Sequence, residues 1–303
     1  MTKMKRTLVT GGHGLIGSAM SAEFCPTSRE LDLMNFNDIV EYLRLNDIDS
    51  IIHCAAKVGG IGANINNPGE FFYGNIMMNT NLLEAARRCG VEKVVSFMST
   101  CVFPAKASYP LTPEQINLGE PHTSNYPYAY AKRMVDVMGR AYRKQYNSNF
   151  ITVIPCNAYG PNDNYNLDDS HVIPAIIHKC YLAKKNGTAL KLWGSGRAWR
   201  EFIYSKDIGY LANWTLENYN DAAPLVLSVD EEINLHDLAK EICRQMDFTG
   251  EIIYNQQMEG QIRKPSDNSR LRELLPDFKF TPIEKGIRET IDWFLTNYEV
   301  CRR

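Results

Sequence analysis

The stretch Arg6-Thr-Leu-Val-Thr-Gly-Gly-His-Gly-Leu-Ile-Gly17 decides how the N-terminal part of this chain folds. Its first five residues form a short apolar, β-branched run, which predicts a strand. Glycines follow at positions 11, 14 and 17. In a turn of this spacing the first glycine permits a tight bend, the second lets the backbone approach a pyrophosphate, and the third lets a helix pack on the strand. The stretch therefore predicts a strand, a glycine turn and a helix at Ser18 to Phe24.

Strand and helix patterns alternate through the rest of the first half. Parallel strands need long crossovers, which are usually helices. The alternation therefore predicts an α/β fold with a Rossmann-like, doubly wound parallel sheet covered on both faces. The elements that we predict are strands at Ser50 to Ala56, Lys93 to Met98 and Phe150 to Pro155, and helices at Asn35 to Leu45, Gly69 to Cys89 and Tyr128 to Tyr146.

Beyond Pro161 the alternation loosens and the apolar runs shorten. We expect residues 1–160 to form a dinucleotide-binding Rossmann domain and residues 161–303 a smaller α/β substrate lobe, partly interleaved with it. The elements predicted in this second part are helices at Ile173 to Lys185, Asp207 to Tyr219, Leu235 to Met246 and Ile283 to Asn297, and strands at Leu190 to Trp193 and Glu251 to Tyr254.

Composition excludes several classes of protein. Of the 303 residues 44% are hydrophobic and 22% charged, which is typical of a globular chain and not of a disordered or fibrous one. The formal net charge of −2 gives no basic excess for a nucleic acid. No run reaches the ~18 apolar residues of a membrane span, and Met1 to Arg6 lacks a secretion signal's apolar run. We expect a cytoplasmic protein with no membrane partner. The eight dispersed cysteines lack zinc-site spacing, so no metal is expected.

The residues after the glycine turn bear on the form of the dinucleotide. A cofactor without a 2′-phosphate is typically held by an acidic residue about 20 residues after the turn, whereas the phosphorylated form requires a cation. Ser28 and Arg29 reach this region first, and Glu30 and Asp32 follow. We therefore expect NADPH, with its 2′-phosphate on Ser28 and Arg29. The alternative is that Arg29 is a solvated surface charge.

A second pattern, Tyr128-Ala-Tyr-Ala-Lys132, predicts acid–base chemistry. Positions i and i+4 share one helix face, and a nearby ammonium lowers the pKa of a tyrosine. Tyr128 could then exchange a proton with a carbonyl or hydroxyl near neutral pH. Ser99, just after a predicted strand, could add a hydrogen bond to the same oxygen. By itself the pair could also be two surface residues, but its order after the glycine turn favours catalysis.

These segments resemble the extended short-chain dehydrogenase/reductase family, and within it the family of GDP-L-fucose synthases. Those enzymes are NADPH-dependent 3,5-epimerase/4-reductases that act on GDP-4-keto-6-deoxy-D-mannose. The resemblance spans essentially the whole chain, although the link from Gly17 to Arg29 is short. Besides the glycine turn and Tyr128 to Lys132, it depends on Ala55 to Ile61, Ser99-Thr-Cys-Val-Phe-Pro104, Asn157 to Asn164, Ser170-His-Val-Ile-Pro174, Trp193-Gly-Ser-Gly and Arg200-Glu-Phe202.

The resemblance implies a role for each candidate residue. Cys101 is the expected base and His171 the expected acid on opposite faces of the sugar ring, while Tyr128, Ser99 and Lys132 serve the C4 oxygen and the reduction. Taken alone, Cys101 could be a core thiol and His171 a structural histidine. The implied cofactor-binding residues are Gly11, Gly14, Leu15, Ile16, Gly17, Ser28, Arg29, Lys132 and His171. Those implied for the GDP-sugar are Lys179, Trp193, Arg200 and Lys264, and a homodimer formed through the Tyr128 helix is also implied.

Two other classes of function remain open at this point. One is another nucleotide-sugar enzyme of the same superfamily, a 4,6-dehydratase, 4-epimerase or 4-reductase, and the other is a non-catalytic NADP-sensing protein. A sugar-nucleotide 4,6-dehydratase would follow its strand-end Ser or Thr with an Asp-Glu pair, where this chain has Cys101-Val102, and a 4-epimerase has no use for a Cys/His pair. A non-catalytic NADP-sensing protein would have little reason to keep the five catalytic candidates together.

Overall fold

The computed structural model describes residues 6–256 and 261–303, so most of the basic N-terminal segment lies outside it. The first half alternates strands and helices as the sequence predicts. Its elements are β1 (Thr7–Thr10), α1 (Phe36–Leu45), β2 (Ser50–His53), α2 (Ile61–Asn66), α3 (Pro68–Arg88), β3 (Lys93–Phe97), α4 (Tyr126–Tyr146) and β4 (Asn149–Pro155).

The second half contains shorter strands between helices. Its predicted helices are confirmed to within about two residues at either end, while several two- and three-residue strands and α8 were not predicted. The elements are β5 (Asn157–Tyr159), α5 (Val172–Asn186), β6 (Leu190–Leu192), β7 (Trp199–Arg200), β8 (Phe202–Tyr204), α6 (Ser205–Asn218), β9 (Leu225–Leu227), β10 (Ile233–Asn234), α7 (Leu235–Gln245), β11 (Ile252–Tyr254), α8 (Ser269–Leu274) and α9 (Ile283–Thr296).

A five-stranded sheet in the order β1-β2-β3-β4-β9 forms the centre of the first half, and every pair in it is parallel. One face is covered by an apolar cluster that includes residues of α1, α3 and α4, and the other by a cluster that includes residues of α6. The predicted parallel sheet covered on both faces is therefore confirmed. Because strands of such a sheet are buried on both sides, their central positions are mostly apolar, and buried polar residues such as Thr10 and His53 lie toward the strand ends.

The helix predicted at Ser18 to Phe24 is wrong. Only a three-residue 3₁₀ turn, Gly17–Ala19, follows the glycines, and the chain is then extended. Phe24 lies beside Leu8 in a parallel bridge, and the Val9 amide donates to the Phe24 oxygen over 2.8 Å. Since β1 is an edge strand, its free amide requires a partner, and this segment supplies one instead of forming a helix.

The second half has its own core around α5, α7 and α9. Three two-stranded sheets border it, pairing β5 with β8, β6 with β11 and β7 with β10. By contrast, β9 and α6 return to the central sheet. The division into two domains at residue 160 stays a prediction. No described helix has both the length and the apolar composition to cross a membrane.

Candidate active site

A cavity of about 1290 Å³ opens at the carboxyl ends of the central strands. Thr10, Cys54, Met98 and Pro155, which end or follow β1 to β4, all line it. Ligands of open parallel α/β sheets bind at this edge. The volume exceeds the ~300–1000 Å³ of an ordinary ligand pocket, so it has room for two ligands.

The glycine turn forms one wall of this cavity. Gly11 has a φ of +71°, and a Cβ there would lie 2.8 Å from the main chain of Ala55. A Cβ on Gly17 would lie 2.3 Å from the Gly11 oxygen. Around Gly14, in contrast, a Cβ would meet only the Gly11 oxygen, at 3.4 Å. Gly14 thus offers exposed backbone to the cavity, which fits a pyrophosphate, although no long helix follows to add its dipole.

The loop after the glycine turn separates the two residues that were expected to hold a 2′-phosphate. Ser28 lines the cavity, together with Thr27 and Asp32, but Arg29 does not line it and is exposed. Glu30 turns back on its own loop, where it accepts hydrogen bonds of 2.8 Å from the Thr27 amide and hydroxyl. The position of Ser28 fits the expected 2′-phosphate contact, whereas the exposed position of Arg29 does not support its part in that contact.

Ser99, Cys101 and Tyr128 lie together on the cavity wall. Ser99 follows β3 and caps the 3₁₀ turn Thr100–Val102, because its side-chain oxygen accepts from the Cys101 amide over 3.3 Å. Tyr128 is in the first turn of α4. The topology thus brings two segments of the chain to one side of the site.

Lys132 is buried one turn further along α4, with 2% of its surface exposed. Its Nζ donates to the Phe97 oxygen over 3.0 Å, and it does not line the cavity. Burial lowers the pKa of Lys132 to about 8 and raises the pKa of Tyr128. The net lowering of the Tyr128 pKa that the sequence predicts is therefore wrong for this structure, because burial outweighs the favourable charge of Lys132. Tyr128 is held in its protonated form.

A buried network that no sequence pattern predicted joins the end of β1, just before the glycine turn, to α4. Nδ1 of the His53 ring lies 2.7 Å from Thr10 Oγ1, and Nε2 lies 2.9 Å from Asn79 Oδ1. Asn79 Nδ2 in turn donates to the Ala131 oxygen over 3.4 Å. Burial, aided by the charge of Lys132, lowers the pKa of His53 to about 3, so the imidazole is neutral. The Asn79 oxygen can only accept, which assigns the imidazole proton to Nε2.

His171 precedes α5 and lines the cavity from the side of the second half. Its Nδ1 lies 4.0 Å from Oδ1 of Asp163, a carboxylate that is 3% exposed. Although the His171 side chain is about half exposed, desolvation by the cavity wall opposes its protonation; Asp163 and Asp169 outweigh this effect and raise the pKa of His171 above its usual value. The imidazolium form is favoured, which suits a proton donor. Asp163 is within the segment Asn157 to Asn164, but no sequence pattern predicted a role for it.

The expected GDP-sugar residues divide into two groups. Lys179, Trp193 and Arg200 line the cavity, and the Lys179 ammonium lies 4.2 Å from the centroid of the Trp193 ring. Lys264 does not line it. Its Nζ donates to the Thr100 oxygen over 2.8 Å, behind the wall that carries Cys101, and burial lowers its pKa.

Asn125 is a further residue that the sequence analysis missed. It lines the cavity, and its Nδ2 donates to Cys101 Sγ over 2.9 Å. The sequence feature that could have indicated it is its position directly before the Tyr128 helix, with Pro127 two residues later.

A smaller pocket of about 340 Å³ lies beside β7 and contains none of the candidate site residues. Its polar groups largely bond one another. The Ser266 amide donates to Glu201, Arg263 pairs with Glu232, and Asn268 donates to Asp230. The chemistry predicted from the sequence therefore belongs to the larger cavity.

Comparisons with known proteins show which family the chain is similar to. The model of the NAD dependent epimerase/dehydratase family matches residues 7–229. A Dictyostelium discoideum protein named GDP-L-fucose synthase is 43% identical over 323 aligned positions, covering 100% of this chain and 99% of that protein. A Drosophila melanogaster protein named probable GDP-L-fucose synthase is 37% identical, covering 99% and 100%. The crystal structure of a GDP-L-fucose synthetase from Naegleria fowleri bound to NADP has a TM-score of 0.94 and 38% identity, covering 100% and 96%.

Proposed function

Because the chain belongs to the NAD dependent epimerase/dehydratase family, we propose that it is a GDP-L-fucose synthase. It converts GDP-4-keto-6-deoxy-D-mannose into GDP-L-fucose with NADPH. The observation that supports this best is that Ser99, Cys101, Tyr128 and His171 line one cavity with the glycine turn. The family and the activity expected from the sequence are confirmed by the relatives.

Epimerisation uses the acidity that the C4 ketone gives to the hydrogens on C3 and C5. Cys101 removes one of these protons, and the C–H electron pair moves into an enolate whose oxygen accepts hydrogen bonds from Tyr128 and Ser99. His171 returns a proton to the opposite face, which inverts the centre. Its raised pKa favours the protonated form that this step requires.

Reduction follows at C4, and the nicotinamide of bound NADPH supplies the hydride. Tyr128 gives its phenolic proton to the C4 oxygen, and the burial that raises its pKa keeps this proton in place until the oxygen becomes basic. Lys132, held by the Phe97 oxygen, adds a positive charge behind Tyr128 that stabilises the phenolate left after proton transfer.

The diphosphate of the GDP-sugar needs cations, which Lys179 and Arg200 supply from the second half of the chain. Lys179 is a single ammonium, so it binds phosphate as a point charge. Its cation–π contact with Trp193 fixes the position of that charge.

A homodimer formed through α3 and α4 is part of the proposal. These helices pack side by side and expose large apolar side chains, Phe72 and Tyr73 on α3 and Met134 and Val137 on α4. The same surface on a second copy would cover them in a symmetric bundle. Sedimentation of the protein and of a Val137→Glu variant tests this: we expect a dimer that the charge dissociates, and a monomeric parent protein would contradict it.

The activity is tested by mixing the protein with GDP-4-keto-6-deoxy-D-mannose and NADPH. We expect the NADPH absorbance to fall and NMR to show the L-fucose configuration at C3, C4 and C5. Sugar inversion without NADPH consumption would indicate a redox-neutral epimerase, and binding of NADPH with no change in the sugar would indicate a sensor.

A further inference from the structure

Asn125 contacts the sulfur of Cys101 from the start of the Tyr128 helix. Its Nδ2 donates to Cys101 Sγ over 2.9 Å, and both residues line the cavity. The two residues are 24 positions apart in the sequence. The contact therefore depends on how α4 packs against the segment after β3.

The side chain of Asn125 does not perform the function that its position favours. Asn125 is the N-cap of α4, and an N-cap asparagine normally accepts a hydrogen bond from the amide of the second or third helical residue. The second helical residue is Pro127, which has no N–H, and Asn125 makes no capping bond. Asn35, the N-cap of α1, does cap its helix by accepting from the Asn37 amide over 3.0 Å.

The other end of the Asn125 amide is unsatisfied. Oδ1 is buried and has no hydrogen-bond partner within residues 6–256 and 261–303. A buried acceptor without a partner lowers stability, and such groups in native proteins call for an explanation. Asn125 thus makes no capping bond and leaves a buried acceptor unpaired among the described residues, while its N–H group donates to the sulfur of Cys101.

We propose that Asn125 is a positioning residue for Cys101, which holds the sulfur toward the sugar and stabilises its ionised form with an N–H donor. The inference rests on the proposed function, in which Cys101 takes the proton from C3 or C5. Hydrogen bonds to ionised groups are stronger than those to neutral ones, so this donor favours the thiolate. Asn125 neither gains nor loses a proton in the step.

Lys264 and Tyr128 also face Cys101. Lys264, from the segment before α8, has a favourable charge interaction with the thiolate, whereas Tyr128 from α4 has an unfavourable one when it is ionised. Lys264 does not replace Asn125, since its ammonium donates a hydrogen bond to the Thr100 oxygen.

The test compares Asn125→Ser with the unmodified protein and with Asn35→Ala. Serine is a good N-cap but is shorter than asparagine and lacks its amide donor, while Asn35→Ala removes a true cap at a residue that does not line the cavity. Solvent deuterium uptake at C3 and C5 is measured with NADP⁺ in place of NADPH, so that exchange is seen without reduction. Cys101 alkylation by iodoacetamide is followed against pH by peptide mass spectrometry, which needs no sugar.

For Asn125→Ser we expect exchange to slow by about 10- to 100-fold and Cys101 alkylation to slow as well, with the melting temperature unchanged or higher. Asn35→Ala should lower the melting temperature and leave exchange and alkylation unchanged. Asn125→Ser exchange within twofold of the unmodified protein, or an unchanged alkylation profile, would overturn the inference. An unmodified protein that exchanges no deuterium would overturn the proposed function, and the alkylation measurement would still decide whether Asn125 acts on Cys101.

Discussion

The Lys132 ammonium donates to the main-chain oxygen of Phe97, the last residue of β3, over 3.0 Å. The carboxyl end of the strand thereby holds the cation one helical turn beyond Tyr128. Burial lowers the pKa of Lys132 to about 8, so the residue loses its charge within the mildly alkaline range.

The rate of C4 reduction is expected to fall as the pH rises through about 8, because Lys132 then becomes neutral and no longer stabilises the Tyr128 phenolate. Single-turnover oxidation of NADPH across the neutral to alkaline range measures this. Lys132→Met should reduce slowly at every pH and lose that alkaline step. A step of the same size and position in the variant would assign the titration to another group.

Cys101 and Tyr128 are expected to serve different steps. Cys101→Ser should slow deuterium exchange at C3 and C5 by about 10²- to 10⁴-fold and leave NADPH affinity unchanged, since the sulfur is the proton acceptor. Tyr128→Phe should slow hydride transfer as well. Cys301→Ser is the matched control, because that thiol bonds only the nearby Tyr298 oxygen among the contacts described. Exchange and reduction at the rates of the unmodified protein in both variants would contradict the proposed mechanism.

Local patterns predicted the elements whose causes are local. Asn35 caps α1, and the predicted Asn35 to Leu45 differs from the observed helix only by that cap. The helix predicted from Ser18 to Phe24 was wrong because the structure of this segment depends on the free edge of β1, which a local pattern does not reveal.

The site divides in the same way. Glycine spacing and the Tyr128 and Lys132 pair are local, and the family segments identified Cys101 and His171. Contacts across the chain, such as those of Asn125 with Cys101 and of His171 with Asp163, form only when α4, the segment after β3 and the second half meet. The predicted lowering of the Tyr128 pKa was wrong for the same reason, since burial is a property of the packed structure.

Asp163→Asn is expected to weaken His171 as a proton donor. The carboxylates of Asp163 and Asp169 raise the pKa of His171 against the effect of burial, so removing one of them lets the imidazolium lose its proton at lower pH. The falling limb of the deuterium-exchange profile should therefore move to lower pH. Asp221→Asn, which changes a surface partner of Arg270, should leave the profile in place. The hypothesis fails if both variants give the parent profile.

Ser28→Glu is expected to raise the KM for NADPH by about tenfold or more relative to that for NADH, because a carboxylate at the cavity wall repels a 2′-phosphate. Arg29→Ala should change this ratio much less, since the Arg29 side chain does not line the cavity. Steady-state kinetics with both cofactors measure the two ratios. A larger effect of Arg29→Ala would show that its side chain reaches the phosphate in the complex.

His53 is expected to make the folded protein sensitive to acid. Its pKa is about 3 in the folded state and about 6.5 when unfolded, so between these values the unfolded chain binds the proton more tightly. The free energy of unfolding should fall by about 1.4 kcal/mol per pH unit from this group as the pH drops from about 6.5 toward 3. His53→Gln, which cannot titrate, should be less stable by about 1–3 kcal/mol at neutral pH, because Thr10 and Asn79 lose well-placed partners. Its stability should nevertheless decline less steeply with acid in urea titrations at a series of pH values, and equal slopes for both proteins would show that His53 is already protonated in the folded state.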